Sequence, residues 1–138
     1  MKKLLSLIFL IPLLLSCEIN QQNQIESVNV SVRQVDWHPS VAGDGTNLFY
    51  FCTVNMPEIT QNVYSNGIVQ VYYTWNNLTS QGQQPLPYVM NHESATNYKW
   101  LQTVDFEYSP GTITIYSTRS DFIAEIPSAM NFRIVVMK

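Results

Sequence analysis

The sequence predicts an all-β protein, a Greek-key β-sandwich of about six to eight strands with one short helical connection. Apolar and polar residues alternate at period two through most segments after residue 24, which is typical of strands with one buried face. Turn signals rich in Gly, Pro, Asn and Ser separate these segments. A small barrel would show the same pattern.

Three segments in the first half of the chain predict strands. Val28, Val30 and Val32 alternate with polar residues and indicate a half-buried strand. Residues 48–54 are apolar on both faces, as expected of a central strand. In residues 68–75 one predicted face is apolar and aromatic, and it comprises Val69, Val71, Tyr73 and Trp75.

The second half of the chain predicts three more strands. Alternation in residues 98–108 places one set of residues on a common inward face: Tyr98, Trp100, Val104, Phe106 and Tyr108. Residues 109–111 have the sequence Ser-Pro-Gly and predict a tight turn into residues 112–117, where Ile113 and Ile115 point inward. In the last strand, residues 132–137, the predicted buried set is Phe132, Ile134 and Val136.

One segment departs from the strand pattern. Residues 59–67 offer Thr60 as a helix N-cap and Gly67 as a left-handed stop, with Val63 and Tyr64 one turn on. We therefore expect one or two helical turns that connect two strands.

The N-terminal segment predicts a cleaved leader. Lys2 and Lys3 precede an apolar stretch at residues 4–15, which is too short to span a bilayer but suits the core of a signal peptide. The Leu-Leu-Ser-Cys sequence that ends at Cys17 resembles the processing site of bacterial lipoproteins. That resemblance implies that diacylglycerol is attached to Cys17. We divide the chain into a signal peptide (1–16), a lipidated cysteine with a polar tether (17–24) and a β-sandwich domain (25–138).

The residue after Cys17 bears on localisation. By resemblance to the lipoprotein sorting rule of enterobacteria, an aspartate there would imply retention in the inner membrane, whereas this chain has Glu18. We therefore expect a cell-envelope lipoprotein of the outer membrane. Whether it faces the periplasm or the cell surface stays open.

Composition and charge exclude one class of partner. Loss of the leader leaves 122 residues and changes the formal net charge from −3 to −5. Nucleic-acid binding needs clustered Lys and Arg to neutralise phosphates, so an acidic chain with 12% charged residues argues against it. The expected partners are the membrane, through the lipid anchor, and an envelope protein or a glycan.

The sequence provides no recognisable catalytic or metal-binding motif. Its two histidines, His38 and His92, lack metal-ligand spacing and are interpreted as solvated loop residues. Asp105 and Glu107 share one strand face and are interpreted as an outward, solvated pair. We expect a non-enzymatic protein with no catalytic residue, no metal and no cofactor.

Two further features have structural interpretations. Residues 43–47 (Gly-Asp-Gly-Thr-Asn) superficially resemble a calcium loop, but they lack its alternating acidic positions and predict a hairpin. Cys52 lies among apolar residues without a basic neighbour and predicts a buried, inert thiol.

Aromatic residues are the best candidates for ligand binding. Trp75 and Trp100 fall on predicted inward faces, where large aromatics fill the core of a sandwich. Trp37, before His38 and Pro39, and Tyr88, after Pro87, fall in predicted loops. Since end loops of a sandwich carry most of its binding function, Trp37 and Tyr88 are the predicted ligand-binding residues.

Several phrases of the domain occur in an order that resembles a known family. They are Pro57 to Val63, Gly67 to Tyr72, Pro85 to Tyr88, Phe106 to Gly111 and Phe132 to Val136. Together they resemble a small all-β domain of secreted and lipid-anchored Bacteroidetes proteins, which has no assigned activity. The resemblance implies the fold and the compartment only. We expect a lipid-anchored binding or structural module, or alternatively a glycan-binding accessory lipoprotein.

Overall fold

Nine strands form two antiparallel sheets in the computed structural model, which describes residues 24–43, 45–76 and 81–138. The strands are β1 (Ile25–Val32), β2 (His38–Val41), β3 (Leu48–Met56), β4 (Ile68–Asn76), β5 (Gln81–Pro85), β6 (Tyr88–Glu93), β7 (Lys99–Ser109), β8 (Gly111–Arg119) and β9 (Met130–Met137). The four-stranded sheet has the order β1-β9-β4-β5, and the five-stranded sheet has the order β2-β3-β8-β7-β6. The prediction of an all-β sandwich is confirmed.

The topology places sequence-distant strands side by side. The consecutive strands β6, β7 and β8 form a meander, and β3 lies next to β8 at its end, a Greek-key arrangement. The sequence did not predict three of the strands, namely β2, β5 and β6. All three lie at sheet edges, where one face and one edge meet solvent, so their sequences carry little apolar periodicity.

Most of the inward residues predicted from alternation belong to the core, but Trp75 and Trp100 lie outside it and Tyr98 is 48% exposed. Ile113, Ile115 and Phe132 are at most 1% exposed. The other two residues of the predicted set in β9, Ile134 and Val136, are fully buried. The period-two pattern therefore located the faces of the central strands correctly.

Strand register defines the two ends of the sandwich. Ile25, Met137 and Ile68 lie side by side where β1 begins, and we call this the N-terminal end. Helix α1 (Gln61–Asn66) links β3 to β4 at this same end. The opposite, far end carries the connection from Arg119 to Met130 and the β6–β7 hairpin.

The predicted helical connection is present, and its end differs from the prediction. The Thr60 side chain accepts a hydrogen bond from Val63 N, as expected of an N-cap. Gly67 ends the helix in an extended conformation with φ −98°, so the prediction of a left-handed stop is wrong. Glycine is needed for space, because a Cβ here would lie 2.5 Å from Met137 O and 2.9 Å from Val63 O.

Both predicted turns are confirmed. Ser109 pairs with Thr112 across the β7–β8 turn, and Gly111 has a φ of +82°, the positive value that a type II turn requires after proline. Residues 42–47 connect β2 to β3, with Gly45 at φ +73°. Asp44 lies outside the described residues.

The predicted leader, Cys17 and the tether up to residue 23 also lie outside the described residues. Within the described ranges no helix has the length and apolar character of a membrane span.

Candidate functional site

A pocket of about 220 Å³ opens at the far end of the sandwich. Its floor is the inner face of the five-stranded sheet, beyond the last apolar core residues. The floor comprises Tyr50, His92, Trp100, Gln102, Ser117 and Arg119, and the connection between β8 and β9 contributes the opposite wall with Ile123, Glu125, Ile126, Pro127 and Ser128. We call it the Trp100 pocket.

Three side chains from adjacent strands stack across one side of the pocket. The His92 ring on β6 lies parallel to the Trp100 indole, with centroids 5.2 Å apart and planes 9° apart. The Arg119 guanidinium on β8 lies over the same indole, 4.2 Å from its centroid. Because β7 lies between β6 and β8, the two partners cover opposite faces of Trp100, which leaves neither face for a sugar ring.

Two carboxylates bind Arg119. Its Nε and Nη2 donate to Asp121 at 2.9 and 2.8 Å, and its Nη1 donates to Glu125. The hydrogen bonds from Arg119 hold the pKa of Asp121 well below its usual range. In turn, the hydrogen bonds to Asp121 raise the pKa of Arg119. The guanidinium therefore holds the connection after β8 in place and is not free to bind an anionic ligand.

The deepest part of the floor is polar but uncharged. Gln102 is 9% exposed and Ser117 is 2% exposed, and the Gln102 amide donates to Ser117 Oγ at 2.9 Å. Tyr50 lines the same region. His92 Nε2 is buried without a hydrogen-bond partner among the described residues. A buried polar atom without a partner lowers the free energy of unfolding by about 1–3 kcal/mol.

Trp37, a predicted ligand-binding residue, belongs to the core. It is 4% exposed, and its Nε1 donates to Ser128 O at 3.3 Å. Trp37 does lie in a connection, between a 3-10 turn (Gln34–Asp36) and β2, as predicted, but it is not exposed. The chain crosses between the sheets here, and the indole fills the space below that crossing.

Tyr88, the other predicted ligand-binding residue, is the first residue of β6 rather than a loop residue. Its ring is half-buried against the core and stacks on Tyr73 with centroids 5.8 Å apart and planes 17° apart. One face of Tyr88 is therefore already covered. The structure does not bring Trp37 and Tyr88 together as a surface.

The histidines differ from the predicted solvated loop residues. His38 is exposed but lies on β2, beside Phe51 at 5.9 Å between centroids. His92 is half-buried on β6 in the stack described above. Within the described ranges, no three side chains of the usual metal-ligating types form a group.

The predicted outward carboxylates, Asp105 and Glu107, are exposed, and Asp105 lies opposite Tyr116 on β8. Glu107 accepts a hydrogen bond from the Tyr116 hydroxyl. Burial, with Glu107 next in importance, raises the pKa of Tyr116 to about 12. Burial also raises the pKa of Asp105.

Cys52 is buried, as predicted, at 8% exposure. Burial raises the pKa of its thiol, which lowers the fraction of reactive thiolate.

Sequence reasoning missed Gln102, Ser117 and Arg119, although a usable signal was present. On β8 the inward positions run Ile113, Ile115 and then Ser117 and Arg119. On β7 the inward row passes from Val104 to Gln102 at the same end of the sheet. When inward rows of neighbouring strands become polar at one end, that end is a candidate pocket.

In comparisons with known proteins, no family model, curated protein or solved structure matches this chain. The resemblance to a Bacteroidetes domain therefore stays a prediction.

Proposed function

We propose that this chain is a lipid-anchored protein of the bacterial cell envelope, in the outer membrane, and that it acts as a non-enzymatic binding module. Cys17 would carry the lipid, and residues 18–24 would form the tether. The domain would then present its far end, with the Trp100 pocket, to a partner.

The direction of β1 is the observation that carries this proposal. The first strand begins at Ile25, directly after the proposed tether, and lies at the N-terminal end beside Met137. The Trp100 pocket lies at the far end, about 25 Å away for a strand of this length. An anchor on Cys17 would therefore leave the pocket facing away from the membrane.

The chemistry of the pocket favours binding over catalysis. The partner of the Ser117 hydroxyl is the Gln102 amide, which cannot serve as a general base. The carboxylates of Asp121 and Glu125 are both bound by Arg119. These groups form a fixed hydrogen-bonding surface without an activated nucleophile.

A glycan-binding accessory lipoprotein is the second candidate. It was predicted from Trp37 and Tyr88, which the fold packs inward, so its support now comes from the polar floor of the Trp100 pocket. Neutral hydrogen-bonding groups next to an apolar wall suit a sugar.

Lipid labelling tests the anchor. Cells that express the full chain would be fed a labelled fatty acid and then fractionated. We expect label and membrane association in the wild type, and loss of both in Cys17→Ala. Cys52→Ala is the matched control, since it removes the buried thiol and should keep the label. A labelled, membrane-bound Cys17→Ala protein would overturn the anchoring proposal.

Amine labelling tests the compartment. The Lys99 side chain is 71% exposed, so a membrane-impermeant amine reagent should reach it, and Lys99→Arg identifies its share of the signal. Labelling on intact cells would indicate the cell surface and favour a glycan. Labelling only after the outer membrane is permeabilised would indicate the periplasm and favour an envelope protein. If labelling required full lysis, the envelope assignment would be wrong.

A further inference from the structure

We propose that the Trp100 pocket binds a neutral, hydroxyl-rich ligand, a single sugar ring at the end of a glycan. This inference rests on the proposed binding function and names the ligand class of the same site. Three properties of the pocket carry it: its hydrogen-bonding groups, its charge and its size.

The floor offers both donors and acceptors. The Gln102 amide N–H donates to Ser117 Oγ. The Gln102 amide oxygen can therefore accept a hydrogen bond from a ligand, and the Ser117 hydroxyl can donate one. Tyr50 also lines the pocket, and its hydroxyl makes no hydrogen bond to another described residue. A hydroxyl group both donates and accepts, so a polyol matches this mixed set better than a ligand with acceptors only.

The charged side chains at the pocket already bind one another, in a cluster of one guanidinium and two carboxylates. Arg119 binds Asp121 through two hydrogen bonds and Glu125 through a third. A phosphate or carboxylate ligand would have to compete with the two resident carboxylates for Arg119, which costs desolvation and broken ion pairs. An amine would be repelled by Arg119 and could pair only with Glu125, whose side chain is 65% exposed, and a pair that exposed contributes little. A neutral ligand leaves the cluster intact.

The size and the wall of the pocket fit one ring. Its volume of about 220 Å³ is below the ~300–1,000 Å³ of sites for drug-sized ligands. Ile123 and Ile126 lie on the wall opposite the polar floor and remain 50% and 49% exposed. They offer apolar surface to the C–H groups of a sugar while the floor binds its hydroxyls.

The test uses the full-length protein in a detergent without a sugar headgroup, such as an alkyl dimethylamine oxide. Saturation-transfer NMR and tryptophan emission would follow titrations with glucose, galactose, mannose, fucose and N-acetylglucosamine. Glucosamine and glucuronic acid are charged counterparts of glucose. We expect saturable binding of at least one neutral sugar and weaker binding of its charged counterparts.

Two variants locate the site. Tyr50→Phe removes one hydroxyl without changing the shape of the ring, and Ser117→Ala removes the acceptor of Gln102. Each should weaken binding about 3- to 10-fold, which corresponds to one lost hydrogen bond. The matched control is Tyr116→Phe, which removes a tyrosine hydroxyl from the outer face of the same sheet and should leave binding unchanged.

Three results would overturn the inference: no binding of any neutral sugar by the folded protein, tighter binding of a charged sugar, or equal loss in Tyr50→Phe and Tyr116→Phe. Circular dichroism would confirm that each variant is folded. Binding in detergent is independent of the anchor. The sugar titration can therefore contradict the ligand class while lipid labelling supports the anchor at Cys17. The opposite pair of results would be equally clear.

Discussion

At the scale of single residues, burial decided the role of Trp37. Its indole is 4% exposed and reaches Ser128, 91 positions along the chain. The local sequence, with Pro39 two residues later, is typical of a loop. The partner of the indole, Ser128, lies in the connection between β8 and β9. The sequence around Trp37 gives no sign of that contact.

Replacement of Trp37 tests this assignment. Trp37→Ala should lower the free energy of unfolding by about 3–5 kcal/mol, because it removes a buried aromatic side chain and leaves a cavity. Trp37→Phe should cost less, since it keeps most of the apolar surface. Urea unfolding gives both values. An alanine variant as stable as the wild type would show that the indole is not part of the core.

Two glycines form a second matched pair. A Cβ on Gly67 would meet the backbone oxygens of Met137 and Val63, whereas a Cβ on Gly43 would meet nothing within 4 Å. Gly67→Ala should therefore destabilise the protein by about 1–3 kcal/mol through overpacking. Gly43→Ala should be neutral or slightly stabilising. Urea midpoints that shift equally for the two variants would contradict the close approach at Gly67.

The Arg119–Asp121 pair predicts a pH dependence of stability. Because Arg119 lowers the pKa of Asp121 in the folded state, the pair stabilises the protein above the unfolded pKa of about 3.9. The contribution is lost as the pH falls through the lower, folded pKa. Asp121→Asn should therefore be less stable than the wild type at neutral pH, and the difference should shrink below about pH 4.

Urea unfolding over a pH series measures this difference. Glu93→Gln is the control, since Glu93 and its partner Lys99 are exposed and 3.8 Å apart, and such pairs contribute about 0–1 kcal/mol. A gap between Asp121→Asn and the wild type that is constant at every pH would exclude the linkage.

At the scale of elements, the alternation of apolar and polar residues predicted which face of most central strands is buried. The inward faces of β4, β7, β8 and β9 follow from period two, because the same face is buried along each strand. Period two does not identify the inward face of β3, since residues 48–54 are apolar on both faces. The edge strands β2, β5 and β6 were missed. β5 has the sequence Gln-Gly-Gln-Gln-Pro and is mostly exposed, so it pairs through its backbone without an apolar pattern.

Helix α1 depends on its cap. Six residues are too few for a helix that is stable alone, so α1 needs the hydrogen bond from Val63 N to Thr60 Oγ1. Thr60→Ala should cost about 0.5–2 kcal/mol of unfolding free energy, and Thr60→Ser should cost less because it keeps the acceptor. Thermal unfolding compares the two, and equal losses would exclude capping as the cause.

At the scale of the whole molecule, the order of strands is what the sequence left open. β9 lies between β1 and β4, and its neighbours come from distant parts of the chain. The sequence of residues 130–137 predicts a buried strand, but it does not indicate which two strands lie beside it. The place of β6 beside β7 was not predicted either, so the stack of His92 on Trp100 in the Trp100 pocket was missed.

Removal of β9 should abolish folding. A chain that lacks residues 130–138 leaves β1 and β4 without their shared partner and removes Phe132, Ile134 and Val136 from the core. We expect no cooperative unfolding transition by circular dichroism. Removal of Lys138 alone should preserve the transition. A cooperative transition in the shorter chain would show that the sheet closes without β9.

The central place of β9 also sets the order of events during synthesis. Among the described strands, β1 pairs only with β9, and the Ser31 hydroxyl on β1 donates to Asn131, 100 residues later. The nascent chain therefore cannot close this sheet until nearly all of the described residues have left the ribosome. Such non-local pairing makes folding slow. For a protein proposed to cross a membrane, that delay would keep the polypeptide unfolded and able to pass through a translocon.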